Sequence, residues 1–257
     1  GTIFVFSGVV DRVHMEKVIH RSGSRGFSDN GWLKSYFTFS FANYYDPRRI
    51  NFGALRVLNN DTIEGGEGFK SHPHDNMEIV FIPTEGAIDH GDNIGNITTV
   101  STGEAQIISA GRGMVHNSYN HDRNTPLSYI QMWIFPQEYE LEPAYSKVKL
   151  EEVGRNRWQP VASPEGGEHV LKINQRAWVE MAALDAGTSI RYEVRIDTNG
   201  VYIFVVSGDV LIAGSSLHEN DAIGLTGLEY ADVEAETDAK ILVIEVPMRQ
   251  WSNSSEG

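Results

Sequence analysis

The feature that most constrains the fold is a long succession of short strand-like runs separated by polar turns. In the N-terminal half, runs rich in β-branched and aromatic residues alternate with clusters of Gly, Asn and Asp. These runs cover residues 52–58, 77–83, 97–100, 105–109 and 127–135. No long amphipathic helix interrupts them, so the sequence predicts an all-β sandwich or barrel.

A change of composition divides the chain into two such series. Residues 136–167 are rich in Glu, Pro and Gly, and we interpret them as a crossover and linker with one strand-like piece at 146–150. A second series of runs follows at 169–173, 178–184, 189–194, 202–206, 210–213, 222–225, 230–233 and 241–246. The similar rhythm favours two barrels of one type. We expect an N-terminal barrel over residues 1–140 and a linker plus C-terminal barrel over 141–257.

Charge and composition restrict the function classes. The formal net charge of -14 argues against a nucleic-acid binder and against binding to an anionic membrane surface, since both need a basic face. The chain has no cysteine, which excludes disulfides and thiolate metal sites. No apolar run approaches the roughly 20 residues that span a bilayer, and residues 1–10 lack the pattern of a signal peptide. We therefore expect a soluble, cytoplasmic protein.

The sharpest chemical feature is the stretch 71–78, which contains two histidines spaced as His-x-His. If this stretch is a regular strand, His72, His74, Asn76 and Glu78 point to one side of it. The intervening Pro73 cannot donate to a ladder, so the pair is expected at a strand start or a sheet edge. An isolated His-x-His pair is more often a surface or packing feature. The carboxylate at Glu78 favours a metal site instead.

A second block about forty residues later supplies a third imidazole. A tight turn at residues 111–113 precedes His116, Ser118 and Asn120, which share one parity and therefore one face. Two imidazoles from one strand and a third from another form a facial set of ligands. Neutral imidazole suits zinc, iron, nickel and copper, and three protein ligands leave a coordination position open for chemistry.

These two blocks resemble the signature motifs of the cupin superfamily. The first corresponds to His72-x-His74-x3-Glu78 with Gly86 at the following turn, and the second to Gly103, Gly113, His116 and Asn120. Four further stretches, at 31–47, 55–61, 68–74 and 109–113, are similar to the pirin family. In particular, they are similar to the bacterial members of that family that are described as quercetin 2,3-dioxygenases.

The resemblance implies a bicupin, in which two jelly-roll-like cupin β-barrels lie face to face. It also implies one divalent metal ion in the N-terminal barrel, held by His72, His74 and His116. Iron is the first expectation, with zinc, nickel, copper or manganese as alternatives. The C-terminal barrel is expected to lack metal ligands, because no histidine lies between Leu171 and Leu217.

Two positions depart from the family pattern. The family's fourth ligand is a Glu two positions after the third His, and here that position is Ser118, whose neutral hydroxyl is a poor ligand. Phe37 stands where related sequences often carry His, which alters the expected pocket wall. Glu78 is the predicted catalytic residue, as a substitute ligand or proton acceptor. The candidates for a fourth ligand or a pocket residue are Glu78, Ser118, Asn120 and Gln131.

Three functions remain open from the sequence. The first is a dioxygenase that cleaves a flavonol-like (quercetin-type) or other small oxygenated aromatic substrate with O2, the metal acting as a Lewis acid. The second is a non-enzymatic regulator that binds a protein partner, which the acidic total charge fits better than direct contact with nucleic acid. The third is a cupin whose metal site has degenerated through Ser118. A monomer is the expected state, because an internal pair of barrels reduces the need for a dimer.

Two histidines near the predicted turns receive a structural interpretation. His90 and His121 each precede a turn-forming cluster of Asp, Asn and Gly or Arg. We expect both to be hairpin-tip residues rather than ligands.

Overall fold

The computed structural model describes residues 14–249, so the ends of the two predicted domains and the stretch 1–10 lie outside the described residues. Within 14–249 the regular structure consists of 22 β-strands and one three-residue 3-10 turn, Ser22–Ser24. The all-β prediction is confirmed. In this part of the chain no helix is long and apolar enough to cross a bilayer.

The first domain is built from two antiparallel sheets. The larger has the order β12-β9-β6-β11-β4-β3-β2 and the smaller the order β5-β10-β7-β8. The larger contains β2 (Gly26–Asp29), β3 (Leu33–Phe37), β4 (Leu55–Ile63), β6 (Glu78–Glu85), β9 (Glu104–Ser109), β11 (Leu127–Ile134) and β12 (Ala144–Lys149). The smaller contains β5 (Gly68–His74), β7 (Ala87–Asp92), β8 (Ile97–Ser101) and β10 (Met114–Asn120).

The second domain repeats this plan. Its larger sheet has the order β1-β20-β17-β22-β15-β13-β14, and its smaller sheet the order β16-β21-β18-β19. The larger contains β1 (Glu16–His20), β13 (Gln159–Ser163), β14 (Leu171–Lys172), β15 (Trp178–Leu184), β17 (Asn199–Ser207), β20 (Ala222–Thr226) and β22 (Ala239–Pro247). The smaller contains β16 (Ser189–Glu193), β18 (Val210–Ile212), β19 (Ser215–Leu217) and β21 (Tyr230–Ala235). Each domain is therefore a cupin-like pair of sheets and not one closed hydrogen-bonded barrel.

Two strands join the sheet of the other domain, across the domain boundary that was predicted at residue 140. β1 precedes the whole first domain, yet it pairs with β20 in the second domain's large sheet, Glu16 lying opposite Thr226. β12 follows residue 140, yet it pairs with β9 in the first domain's large sheet. The domains thus exchange one strand in each direction relative to the predicted limits.

The two large sheets pack against each other, which agrees with the expected face-to-face bicupin arrangement. Val80 and Ile82 of β6 belong to a buried cluster that also contains Leu242 and Ile244 of the second domain. The alternate residues of β6 point the other way, into the interior of the first domain. Burial of apolar surface from both sheets supplies the main force that joins the domains.

Candidate metal centre

Three imidazoles meet where β5 and β10 pair in antiparallel register. His72 lies directly opposite His116, and His74 lies opposite Met114. The ring centroids are 4.8 Å apart for His72 and His74, 4.4 Å for His72 and His116, and 5.0 Å for His74 and His116. One ring nitrogen of each residue lies within 4.8 Å of the other two. The structure thus brings together the three histidines that were predicted from the sequence as metal ligands.

Local backbone features place these strands side by side. Gly111 adopts a φ of 52°, and a Cβ added there would overlap the backbone of Leu141, so only glycine fits the turn before β10. A Cβ at Gly68 would overlap the backbone of Ser118 and Tyr119. Glycine at these two positions lets the chain turn tightly and lets β5 approach β10 closely.

The hydrogen bonds of His72 and His116 each leave one ring nitrogen without a protein partner. The Nδ1–H of His72 donates to the carbonyl oxygen of Lys70 at 2.7 Å, which leaves the lone pair on Nε2. His116 has its Nδ1 3.5 Å from the Ser118 hydroxyl. Its buried Nε2 has no hydrogen-bond partner among the described residues. Buried polar atoms are normally paired, so this nitrogen indicates a missing partner.

Burial keeps the imidazoles in the form that binds metals. Burial and the neighbouring His72 lower the pKa of His74 to about 4. Burial, followed by the nearby His72 and His74, lowers the pKa of His116 to about 3. Both rings are therefore neutral at physiological pH and offer a lone pair. The donor set, three neutral imidazoles around one point, fits a late first-row divalent metal.

Glu78 does not join the histidines, and the prediction that it shares their face is wrong. β5 ends at His74, and Asn76 adopts a φ of 46°, so the chain breaks its alternation before β6 begins. Glu78 then points with Val80 toward the second domain. Its Oε1 accepts hydrogen bonds from the Ser109 hydroxyl at 2.8 Å and from the Asn174 backbone N–H at 2.7 Å. Burial raises the pKa of this carboxyl.

The residues of β10 alternate as predicted. His116, Ser118 and Asn120 are buried, whereas Val115 and Tyr119 are exposed. Ser118 lines the cavity beside His116. The Asn120 amide instead donates to the carbonyl oxygens of Ile63 and Thr125 and accepts from the Asp122 N–H. Asn120 therefore shapes the turn that leads to β11, away from the imidazoles.

His90 is not the hairpin-tip residue that the sequence suggested. It is 1% exposed, and its ring stacks on Tyr145 with centroids 4.0 Å apart. It also lies 5.5 Å, centroid to centroid, from His116, and its Nε2 bonds the Asp92 carboxylate at 2.7 Å. His90 thus packs against His116 inside the first domain. Its two-residue spacing from the apolar Ile88 was the signal for an inward orientation.

The three histidines open into a cavity of about 320 Å³ inside the first domain. Its wall is largely aromatic and aliphatic, and Phe37, which was expected to alter the pocket wall, forms part of it. The apolar lining comprises Leu33, Phe37, Phe41, Ala42, Phe69, Ile79, Phe81, Tyr129 and Trp133. The polar lining beyond the histidines comprises Ser28, Asn30, Ser35, Asp61, Ser118 and Gln131. A planar aromatic molecule suits such a space.

A continuous set of contacts crosses the wall of the cavity from the histidines. The edge of Trp133 packs on His74, with ring centroids 5.2 Å apart. The Trp133 Nε1–H donates to Gln131 Oε1 at 2.9 Å, and Gln131 Nε2 donates to Asp61 Oδ2 at 2.6 Å. Gln131 therefore lines the cavity with both ends of its amide engaged.

Comparison with known proteins places this architecture in a family. The Pirin family model matches residues 18–134, and the model of the quercetinase C-terminal cupin domain matches residues 160–246. The quercetin 2,3-dioxygenase of Escherichia coli (strain K12) is 36% identical over 229 residues, covering 89% of this chain and 98% of that protein. The chain belongs to the pirin family. A pirin-like protein of Caulobacter vibrioides is 34% identical over 239 residues, covering 92% of this pirin and 99% of its relative.

Solved structures agree with this assignment. This pirin superposes on the bacterial pirin YhhW of Escherichia coli in complex with nickel(II) with a TM-score of 0.85. The two are 35% identical, and the match covers 90% of this chain and 99% of YhhW. The three imidazoles of this pirin form a donor set that fits a divalent metal, and the identity of the ion stays a prediction.

Proposed function

We propose that this pirin is a metal-dependent dioxygenase that acts on a flavonol-like substrate, with His72, His74 and His116 as the metal ligands. The observation that carries the proposal is the buried, unpaired Nε2 of His116 at the floor of an aromatic-lined cavity. The names of relatives more than a third identical, quercetin 2,3-dioxygenases, supply the substrate class.

The metal would supply a Lewis acid with open coordination positions, suited to binding the vicinal oxygens of a hydroxy-ketone. Iron is the first expectation, with zinc, nickel, copper or manganese as alternatives. Glu78 is left out of the proposed ligand set, because its carboxylate faces the second domain. Ser118 keeps a neutral hydroxyl beside His116, which leaves the position of the family's Glu to water or substrate.

The protein's own residues bind and orient the substrate. Phe37, Phe41 and Trp133 provide flat apolar surfaces that favour a planar ring system and exclude water from it. The Trp133 ring is held by its hydrogen bond to Gln131, so it is oriented before any ligand arrives. A fixed wall of this kind lowers the entropic cost of placing the substrate above the histidines.

Elemental analysis tests the ligand set directly. Protein purified without a polyhistidine tag or added metal should hold about one metal ion per chain in the wild type. His74→Ala should lose it, whereas His121→Ala, a control whose side chain is 58% exposed, should keep it. Absence of metal from the wild type, or retention in His74→Ala, would contradict the proposed centre.

Oxygen consumption with quercetin tests the activity. Turnover in the wild type and its loss in His74→Ala support the dioxygenase. Full metal occupancy without turnover would support the alternative of a non-enzymatic regulator that binds a protein partner. A monomeric state and a cytoplasmic location stay predictions.

A further inference from the structure

A second cavity lies between the two domains and shares no lining residue with the histidine cavity. Its volume is about 620 Å³, which is within the range of sites that bind small organic molecules. Strands β6, β9 and β12 and the loop that precedes β12 line it from the first domain, and residues 164 and 172–176 line it from the second. Both domains therefore contribute to one interdomain cavity.

Glu78 forms the buried end of this interdomain cavity. The residue is 1% exposed, and both of its hydrogen bonds, from the Ser109 hydroxyl and the Asn174 backbone N–H, go to Oε1. Oε2 accepts no hydrogen bond from the described residues, yet it is not among the unpaired polar atoms that are sealed from solvent. Because Glu78 lines the cavity, Oε2 is an open hydrogen-bonding position on its wall.

The other end of the interdomain cavity opens to solvent beside two cations. Lys172 and Arg176 of the second domain line the cavity and are exposed. In the described part of the chain Lys172 takes part in no ion pair, and Arg176 has one loose contact, at 3.7 Å, with the exposed Glu165 carboxylate. The other acidic residue of the lining, Glu142, is bound to Arg112. This end therefore carries positive charge, in a chain of net charge -14, and it favours an anion.

The wall between the two ends is apolar and chiefly aliphatic, with side chains from Ile107, Leu141 and Ile173. A ligand that fits has an anionic group, an apolar body and a hydrogen-bonding group at its far end. A hydroxyl suits Glu78 in either protonation state, since it donates to a carboxylate and accepts from a carboxylic acid, the form that burial favours by raising the pKa of Glu78. Any proton on this carboxyl would sit on Oε2, because two donors already point at Oε1.

We propose that the interdomain cavity binds a small organic carboxylate, whose anionic group pairs with Lys172 and Arg176 and whose remote hydroxyl hydrogen-bonds to Glu78 Oε2. The apolar body of the ligand lies against the aliphatic wall between them. Such a ligand contacts both domains and stabilises the folded chain. The inference does not depend on the proposed dioxygenase activity, because the site is separate from the histidines.

Three related probes test the two ends of the site. The first, p-hydroxyphenylpropanoate, carries both groups, phenylpropanoate lacks the hydroxyl, and p-hydroxyphenylpropanamide lacks the charge. Titration calorimetry on the full chain, chelated so that no metal binds the oxygen atoms of the probes, measures the three affinities. We expect both incomplete probes to bind about tenfold more weakly than the first, because each leaves a polar group of the site unpaired.

Matched variants assign the two contacts to their residues. Glu78→Met removes the acceptor at similar size and should abolish the preference for p-hydroxyphenylpropanoate over phenylpropanoate. The double change Lys172→Gln and Arg176→Gln should abolish the preference for the carboxylate over the amide. The double change Lys34→Gln and Arg157→Gln removes the same charges at exposed positions outside the cavity and should alter neither preference.

Backbone amide shifts of the wild type locate the probe without any variant, which keeps the test available if Glu78→Met fails to fold. The first probe should shift the amides of Gly111 and Asn174, which line the interdomain cavity from the first and the second domain. The amides of Ser118 and Gln131, which line the histidine cavity, should stay in place.

Three results would overturn the proposed site. They are the absence of saturable binding at millimolar concentration, equal affinities for the three probes, and amide shifts centred on Ser118 and Gln131. Preferences that persist in the Glu78 and Lys172/Arg176 variants would overturn the assigned contacts. None of these results bears on the metal content or oxygen consumption of the wild type, so a failure here is distinguishable from a failure of the proposed function.

Discussion

His72 and His116 face each other across the β5–β10 pair, with ring centroids 4.4 Å apart. The two residues are far apart in the sequence, and the register of one antiparallel ladder alone makes them neighbours. Two neutral imidazoles this close, with a third at a similar distance, gain little from one another. A bound metal ion would satisfy all three lone pairs at once, and we therefore expect it to stabilise the fold.

Metal removal should lower the melting temperature. A ligand present at 100 times its dissociation constant stabilises the folded state by about 2.7 kcal/mol. For a protein of this size each kcal/mol corresponds to roughly 2–4 °C, so chelation should lower the melting temperature by about 5–10 °C. Scanning calorimetry with and without chelator measures the shift. His74→Ala should show none, and an equal shift in that variant would contradict the assignment.

Placing a Glu at position 118, where the resemblance to the family implies one, should have opposite effects on the metal-free and the metal-bound protein. Ser118 is 2% exposed, so Ser118→Glu buries a charge without a partner when no metal is present. With metal, the carboxylate can become a fourth ligand. We expect a lower melting temperature than the wild type after chelation and an affinity for metal about tenfold higher. Ser118→Gln, similar in size but neutral, should show the destabilisation without the gain in affinity.

The orientation of Glu78 toward the second domain can be tested by mutation. Glu78→Ala removes two hydrogen bonds, one of them to the Asn174 backbone in the second domain, and should lower the free energy of unfolding by about 1–3 kcal/mol. Metal content should stay unchanged, because this carboxylate faces away from the imidazoles. The exposed Glu85 on the same strand provides the control Glu85→Ala, with a change near zero. Loss of metal in Glu78→Ala alone would return Glu78 to the ligand set.

The turn before β10 should tolerate only glycine. Gly111→Ala combines a positive φ with overlap against the Leu141 backbone, whereas Gly103→Ala meets a positive φ in open space. We expect Gly103→Ala to cost about 1 kcal/mol and Gly111→Ala distinctly more, with reduced metal content because His116 follows five residues later. Denaturant unfolding of the pair checks this, and equal costs would show that the overlap is relieved cheaply.

His20 should make stability depend on pH. Burial, then the charge of Arg49, lowers the pKa of His20 to about 4, below its unfolded value near 6.5. The unfolded chain binds the extra proton first, so stability falls as pH decreases from about 6.5 to 4. Between pH 7 and pH 5 this amounts to about 2 kcal/mol. His20→Gln should reduce the pH dependence by that amount in denaturant titrations, while an unchanged slope would rule out His20 as its source.

Alternation along a strand is a local property, and it placed His72 and His74 on one face of the first block and His116 on one face of the second. The resemblance to the cupins implied that the three histidines meet, which depends on the pairing of β5 with β10. Alternation failed at Glu78, since one residue with positive φ, Asn76, reversed it. It also missed the burial of His90. The ring partner of His90, Tyr145, comes from β12, a strand assigned from sequence to the linker.

The sequence also did not predict which strands pair with one another. Hydropathy indicates which residues are buried, but β1 could have added to either large sheet. Its actual place beside β20 rests on non-local contacts. Among these, Lys17 Nζ donates to the Ala213 carbonyl, and the Asp221 carboxylate accepts from the Ser22 N–H.

The position of β1 has a consequence for synthesis of the chain. β1 leaves the ribosome before the whole first domain, but its partner β20 lies near the C-terminal end. The first domain can therefore assemble while β1 still presents open backbone groups on both sides, and β1 gains its partner strand only when the second domain has formed. Folding then ends with the pairing of a strand that was synthesised before the first domain, and a nascent chain stalled after the first domain would expose this strand to chaperones or to other chains.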